Sequence, residues 1–95
     1  MRIAWTRRYL QELASIGAYI DQHDPRAAAR VVNTIHSKTY RLLSANPFIG
    51  RNGEIRGTRE LVIPGTPYVV AYRVGDTQID VLFVQHGARA WPQDI

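Results

Sequence analysis

The sequence contains no cysteine. That excludes a disulfide framework, a thiolate nucleophile and a zinc–thiolate site, and it fits a cytoplasmic protein. No apolar run approaches the length of a membrane span, so no membrane partner is expected. The start, Met1-Arg2-Ile3-Ala4-Trp5, is too polar and too short for a signal peptide. There is no phosphate-cradling glycine loop followed by Lys-Ser/Thr, no His-Glu-x-x-His helix and no Gly-x-Ser-x-Gly elbow. His23, His36 and His86 lie far apart in the chain. With no cysteine beside them, no metal and no cofactor is expected. Lysine is nearly absent as well: Lys38 stands alone, and 11 of the 12 basic residues are arginines.

What is present describes one domain over residues 1–95, with 45% hydrophobic and 21% charged residues. A chain this short buries a limited core, so a bound partner would add to its stability. The net charge is +4. Arginine matches phosphate with a planar fork and keeps its proton, which suits a nucleic acid, an acidic protein, or both. A solvated basic surface would give the same composition.

The periodicity gives the element order. Arg2 to Trp5 alternates as a short strand. Thr6 can cap a helix on which Leu10, Leu13, Ile16, Gly17 and Ile20 recur at helical spacing. Asp24-Pro25 restarts the chain as N-cap and first helical residue. Ala28, Val31, Val32, Ile35, Thr39 and Leu42 then share one face, and Asn46-Pro47 ends the helix. The short link predicts an antiparallel hairpin of helices. From Phe48 to Gly57, three glycines and no helical period predict a loop. Thr58–Ile63, Tyr68–Val74 and Gln78–His86 predict three antiparallel strands separated by Pro64-Gly65-Thr66-Pro67 and Gly75-Asp76. The expected class is α+β: an N-terminal strand and the two-helix hairpin packed on one face of an antiparallel sheet. Nothing then remains to cover the other face, which would serve as a binding surface.

The chemistry-bearing residues concentrate in the second half: Arg51, Arg56, Arg59, Arg73 and Arg89, with Glu54, Glu60 and His86. Metal-free RNA cleavage needs an acid, a base and fixed cations for the crowded phosphate. Arg73 and His86 are of the right types, and whether they meet depends on strand register. Arg51, Arg56 and Arg59 read either as phosphate contacts or as a docking surface for an acidic partner. His23 reads as a helix-end residue and His36 as a helix-surface residue. Tyr68 and Tyr72 read as core aromatics. Trp91 either folds back onto the domain or offers an RNA-stacking face.

Several stretches together carry a family pattern. They are Leu42-Leu43-x-x-Asn46-Pro47-x-x-Gly50-Arg51, Gly57-Thr58-Arg59-Glu60-Leu61-Val62-Ile63, Pro67-Tyr68-Val69-Val70-Ala71-Tyr72-Arg73-Val74 and Val84-x-His86-Gly87-Ala88-Arg89-x-Trp91-Pro92. The chain resembles the RelE/ParE superfamily of type II toxin–antitoxin toxins, whose members are often labelled plasmid stabilisation proteins. The resemblance implies a microbial-RNase-like core and growth arrest. It also implies a cognate antitoxin with an acidic wrapping segment, and contact with operator DNA only through that antitoxin. RelE-like members are mRNA interferases, endoribonucleases that cut mRNA on the ribosome; ParE-like members inhibit DNA gyrase and are not nucleases. By position, Arg73 and His86 resemble the cutters' catalytic places, with Arg59 or Arg56 as supporting cation. Arg51, Arg89 and Trp91 would contact RNA or a partner. These residue types favour ribosome-dependent mRNA cleavage, with gyrase inhibition as the alternative. Against cleavage stand Val69 and Ala71, apolar where some cutters carry arginine, and Gly87-Ala88, where a tyrosine would follow the histidine.

Overall fold

The computed structural model describes residues 1–92. Strand β1 (Arg2–Trp5) leads into helices α1 (Arg7–Asp21) and α2 (Pro25–Ala45), and strands β2 (Arg51–Asn52), β3 (Arg59–Val62), β4 (Tyr68–Val74) and β5 (Gln78–His86) follow. The sheet order is β1-β5-β4-β3-β2. Both helices start where local chemistry directs. The Thr6 side chain accepts from the Tyr9 amide and that of Asp24 from the Ala27 amide, each satisfying an orphan donor of the first turn. The two helices approach closely at Gly17, where an added Cβ would lie 3.0 Å from Val32 Cγ2.

The expected fold class holds with two differences. The sheet is mixed, because β1 pairs in parallel with β5 while the other neighbours pair antiparallel. A parallel pair needs a long crossover, and here nearly the whole chain supplies it. The segment read as loop from Phe48 to Gly57 contributes the edge strand β2, too short to show an alternating pattern.

The main core lies between the helices and one sheet face. Tyr9, Leu13, Ile35 and Leu43 meet Leu61, Ile63, Val70, Tyr72, Ile79, Val81 and Val84. Each large apolar side chain removed from water here contributes about 1.5–3 kcal/mol.

The opposite face departs from expectation. It was expected to be bare, yet Ala71, Leu82 and Phe83 form a second buried cluster, with Ile55 and Trp91 packed against it. A register shift creates this cluster: Tyr72 faces Val81 but Ala71 faces Phe83, leaving Leu82 as an extra residue in β5. The loop before β3 and the tail after β5 provide the cover that no helix or strand provides. The Arg8 guanidinium lies 4.7 Å from the centre of the Phe83 ring and closes another side.

Candidate functional site

The β4–β5 register decides which candidate residues meet. Tyr68 pairs with His86 at one end of the ladder, and Arg73 pairs with Asp80 toward the other. At ~3.3 Å per residue, Arg73 and His86 are separated by roughly 16 Å along the strands. They also leave the sheet on different sides. Arg73 shares the parity of Ala71 on the second face. His86 packs edge-on against Tyr68, with ring centres 5.9 Å apart, and Tyr68 belongs to the helix-side core. The expectation that these two residues form one catalytic centre therefore gives way to two separate places. The reason is physical: strand parity and register, not residue type, set the neighbours.

Arg59 is a structural cation. Its Nη1 donates to the Gly50 carbonyl at 2.8 Å and, more weakly, to that of Phe48 at 3.4 Å. Its guanidinium lies 5.1 Å from the centre of the Phe48 ring. Arg51 donates from Nε to Glu60 Oε1 at 3.1 Å, and Glu60 Oε2 accepts the Glu54 amide at 2.8 Å. The Glu60 side chain is buried while Arg51 stays largely exposed. Together they fasten β2 to β3. Arg56 and Arg73 are exposed, and the Arg73 side chain runs beside the turn at Gly57. Arg73 brings positive charge to the second face by its strand parity, and Arg56 is exposed in the loop whose Ile55 packs on that face. Trp91 packs on Phe83 with ring centres 5.6 Å apart, so it is folded back rather than held out as a stacking platform.

On the helix side, His86 and Arg89 line a hollow with Glu12, Ile16, Tyr19, Tyr68 and Val84. A tight turn positions the two basic residues. The Arg89 amide donates to the His86 carbonyl, and the Ala88 amide donates to His86 Nδ1 at 3.0 Å. Gln85 Nε2 donates to the Arg89 carbonyl. With Nδ1 accepting, the neutral ring carries its proton on Nε2. Glu12 was not among the sequence candidates. Its signal was present: an acidic residue four positions after Arg8, flanking the apolar stripe of α1.

His36 also differs from its reading as a surface residue. Tyr9 Oη and His36 Nδ1 are 2.9 Å apart, and the Trp5 and His36 rings are centred 4.2 Å apart. Burial holds the His36 imidazole below its ordinary value and pushes the Tyr9 phenol up. Tyr9 therefore keeps its proton, and its hydroxyl shares a hydrogen bond with the neutral ring whose direction follows the imidazole tautomer. No group of three or more metal-ligating side chains converges among the described residues. No helix among them is long and apolar enough to cross a membrane.

Comparisons with known proteins agree with this architecture. The family described as ParE toxin of type II toxin–antitoxin system, parDE, matches residues 3–91. A toxin candidate of Sinorhizobium fredii, Y4kP, is 46% identical over 97% of this chain and 94% of its own length. Toxin RelE2 of Caulobacter vibrioides is 32% identical over 93% of this chain and 97% of its own. A chain of the chromosomal ParDE system of P. aeruginosa superposes with a TM-score of 0.83 at 27% identity, covering 90% of this chain and 95% of that one. The RelBE2 toxin–antitoxin complex of Mycobacterium tuberculosis shares the fold, with a TM-score of 0.59 at 23% identity over 90% of this chain and 95% of that one. A match along nearly the whole chain, on a two-helix layer over a five-stranded mixed sheet, places this protein in the ParE toxin family of type II toxin–antitoxin systems, within the RelE/ParE superfamily.

Proposed function

We propose that this chain arrests growth by binding rather than by cutting, as a ParE-like inhibitor of DNA gyrase in the cytoplasm, and that a cognate antitoxin neutralises it. The observation that carries the choice is the separation of Arg73 from His86 on opposite faces of β4 and β5. A cutter of the kind first expected needs its cation and its acid within reach of one phosphate. Arg59, the supporting cation of that reading, is committed to the Gly50 carbonyl. The exposed Arg56 and Arg73 are instead free to meet an acidic surface on the target. The antitoxin reading draws on the family match and on the net charge of +4, which suits an acidic wrapping segment. Operator DNA would be reached only through that antitoxin.

Ribosome-dependent mRNA cleavage remains the competing mechanism. It would have to use His86 with Glu12 and Arg89, which share one hollow, and leave Arg73 aside. Two reactions with the purified chain separate the mechanisms. Gyrase supercoiling should be inhibited, and mRNA on stalled ribosomes should stay intact by primer extension. Cuts in the A-site codon that vanish with His86→Ala would overturn the proposal.

A further inference from the structure

Strand β3 has an unfinished edge. In an antiparallel ladder, bonded and non-bonded residue pairs alternate. The Ile63 amide donates to the Tyr68 carbonyl, so Ile63, and by alternation Leu61 and Arg59, turn their backbone groups toward β4. Glu60 and Val62 turn theirs to the other side. There Glu60 meets Arg51 of β2, and the Gly53 amide on the Thr58 carbonyl keeps the same alternation. The next pair of that series would join Ile49 to Val62. It does not form, because the Ile49 amide donates to the Asn46 carbonyl. Among the described residues, nothing pairs with the backbone N–H or C=O of Val62. Nor can this chain supply the missing strand. The Gly50 amide is taken by the Tyr72 hydroxyl, the Gly50 carbonyl by Arg59, and the Phe48 amide by the Asn46 side chain. These bonds anchor the turn after α2 away from Val62.

What is left is a hollow of about 330 Å³, lined by Leu42, Ile49, Leu61, Val62 and Pro64. Phe48, Ile49 and Val62 are 58%, 44% and 48% exposed, although all three are large and apolar. Free ladder bonds beside uncovered apolar side chains fit an added strand. The charge of the edge describes that strand. Arg51 stays 61% exposed beside Glu60, and the Lys38 ammonium donates only to the neutral Pro64 carbonyl. Two cations against one carboxylate favour an acidic segment. They disfavour a second copy of this chain, which would set Arg51 and Lys38 against their own kind. We propose that the antitoxin completes the sheet here: an extended acidic segment pairs with Val62, in line with β2. The residue opposite Val62 exchanges both backbone bonds with it. Its two neighbours are apolar and point to the helix side, onto Leu42 and Leu61. The inference rests on the antitoxin reading above and gives its wrapping segment a place and an apolar-x-apolar pattern.

Amide hydrogen exchange in isotope-labelled chain tests this without a substitution. In the free chain the Val62 amide should exchange near the unstructured rate, while those of Leu61 and Ile63 are protected by β4. With the protein encoded by the neighbouring reading frame bound, exchange at Val62 should slow at least about a hundredfold. A complex that forms and leaves Val62 unprotected overturns the proposal while the antitoxin reading stands. Absence of any complex overturns both. Protection already present in the free chain overturns the proposal too, and protection that grows with concentration assigns the edge to a second copy. Val62→Pro is the companion variant. It removes an N–H that no contact of the fold uses, and proline is tolerated on an edge whose N–H faces solvent. Its urea midpoint should match wild type, with antitoxin affinity at least about tenfold lower. Unchanged affinity in the folded variant overturns the proposal, and the exchange result decides alone where the variant fails to fold.

Discussion

The backbone amide of Gly50 donates to the hydroxyl of Tyr72 at 2.8 Å, tying the loop after α2 to the middle of the sheet. Tyr72 is fully buried, and burial pushes its phenol pKa up despite the opposing effects of the Gly50 contact and nearby Arg59. The approach leaves no space for a side chain: a Cβ on residue 50 would lie 2.7 Å from the hydroxyl and 2.8 Å from the Glu60 carbonyl. Tyr72→Phe keeps the ring and strands a buried amide. It should cost about 1–3 kcal/mol, read as a lower urea midpoint with an unchanged slope. A midpoint equal to wild type would show that the amide finds another acceptor.

Thr6 links the start of α1 to the irregularity in β5. Its hydroxyl is placed to donate to the carbonyls of Val81, at 2.7 Å, and Leu82, at 2.9 Å, while accepting from the Tyr9 amide. The Val81 carbonyl also accepts the Thr6 amide at 3.2 Å, so the cap residue holds the irregular stretch of β5 through both its backbone and its side chain. Thr6→Ala should therefore cost about 1–2 kcal/mol, the upper part of the range for a lost cap. Thr6→Ser, which retains the hydroxyl, should recover most of it. Equal losses in the two variants would assign the effect to the threonine methyl group.

The same bulge marks the limit of what the sequence could tell. Helix starts at Thr6 and Asp24-Pro25, the apolar stripes and the β4 and β5 runs were legible because each is written in local spacing and cap chemistry. The parallel placement of β1 beside β5 was not, since a pairing across most of the chain leaves no local mark. The Leu82 bulge puts both Leu82 and Phe83 on the second face, where alternation would have divided them between two. For the candidate site, residue type identified His86 and Arg89 but could not say that Glu12 would share their hollow. It also left open whether Arg73 and His86 meet, and the β4–β5 register sets the two at opposite ends. Arg59 looked like a free cation because its acceptors are backbone carbonyls, which no side-chain motif records.

His36 provides a pH test. Its folded-state pKa is lowered by burial against Trp5 and Tyr9, below the ordinary value of 6.5. A depressed value means the folded chain binds fewer protons than the unfolded chain in the window below about 6.5. The stability contributed by neutral His36 is complete above that pH and is lost as pH falls through the folded value. The urea midpoint should thus drop between about pH 7.5 and pH 5. His36→Gln should flatten part of this slope. A wild-type slope left intact by the substitution would place the titrating group elsewhere.

Arg59 and Arg73 separate scaffold from surface. They lie on neighbouring strands, and Arg59 pairs in register with Tyr72, next to Arg73. Arg59 holds the Gly50 carbonyl and covers Phe48, so Arg59→Ala should lower stability by about 1–3 kcal/mol. Any lost growth arrest should then track the fraction unfolded. Arg73 is exposed, and Arg73→Ala should change stability by less than about 0.5 kcal/mol. If Arg73 contacts the target, that variant should keep its antitoxin affinity while gyrase inhibition weakens about tenfold or more, as expected for a charge lost from a close pair. Full inhibition by folded Arg73→Ala would move the target contact away from this edge of the second face, toward Arg56 or the helices. A stable Arg59→Ala without inhibitory activity would instead return Arg59 to the functional surface.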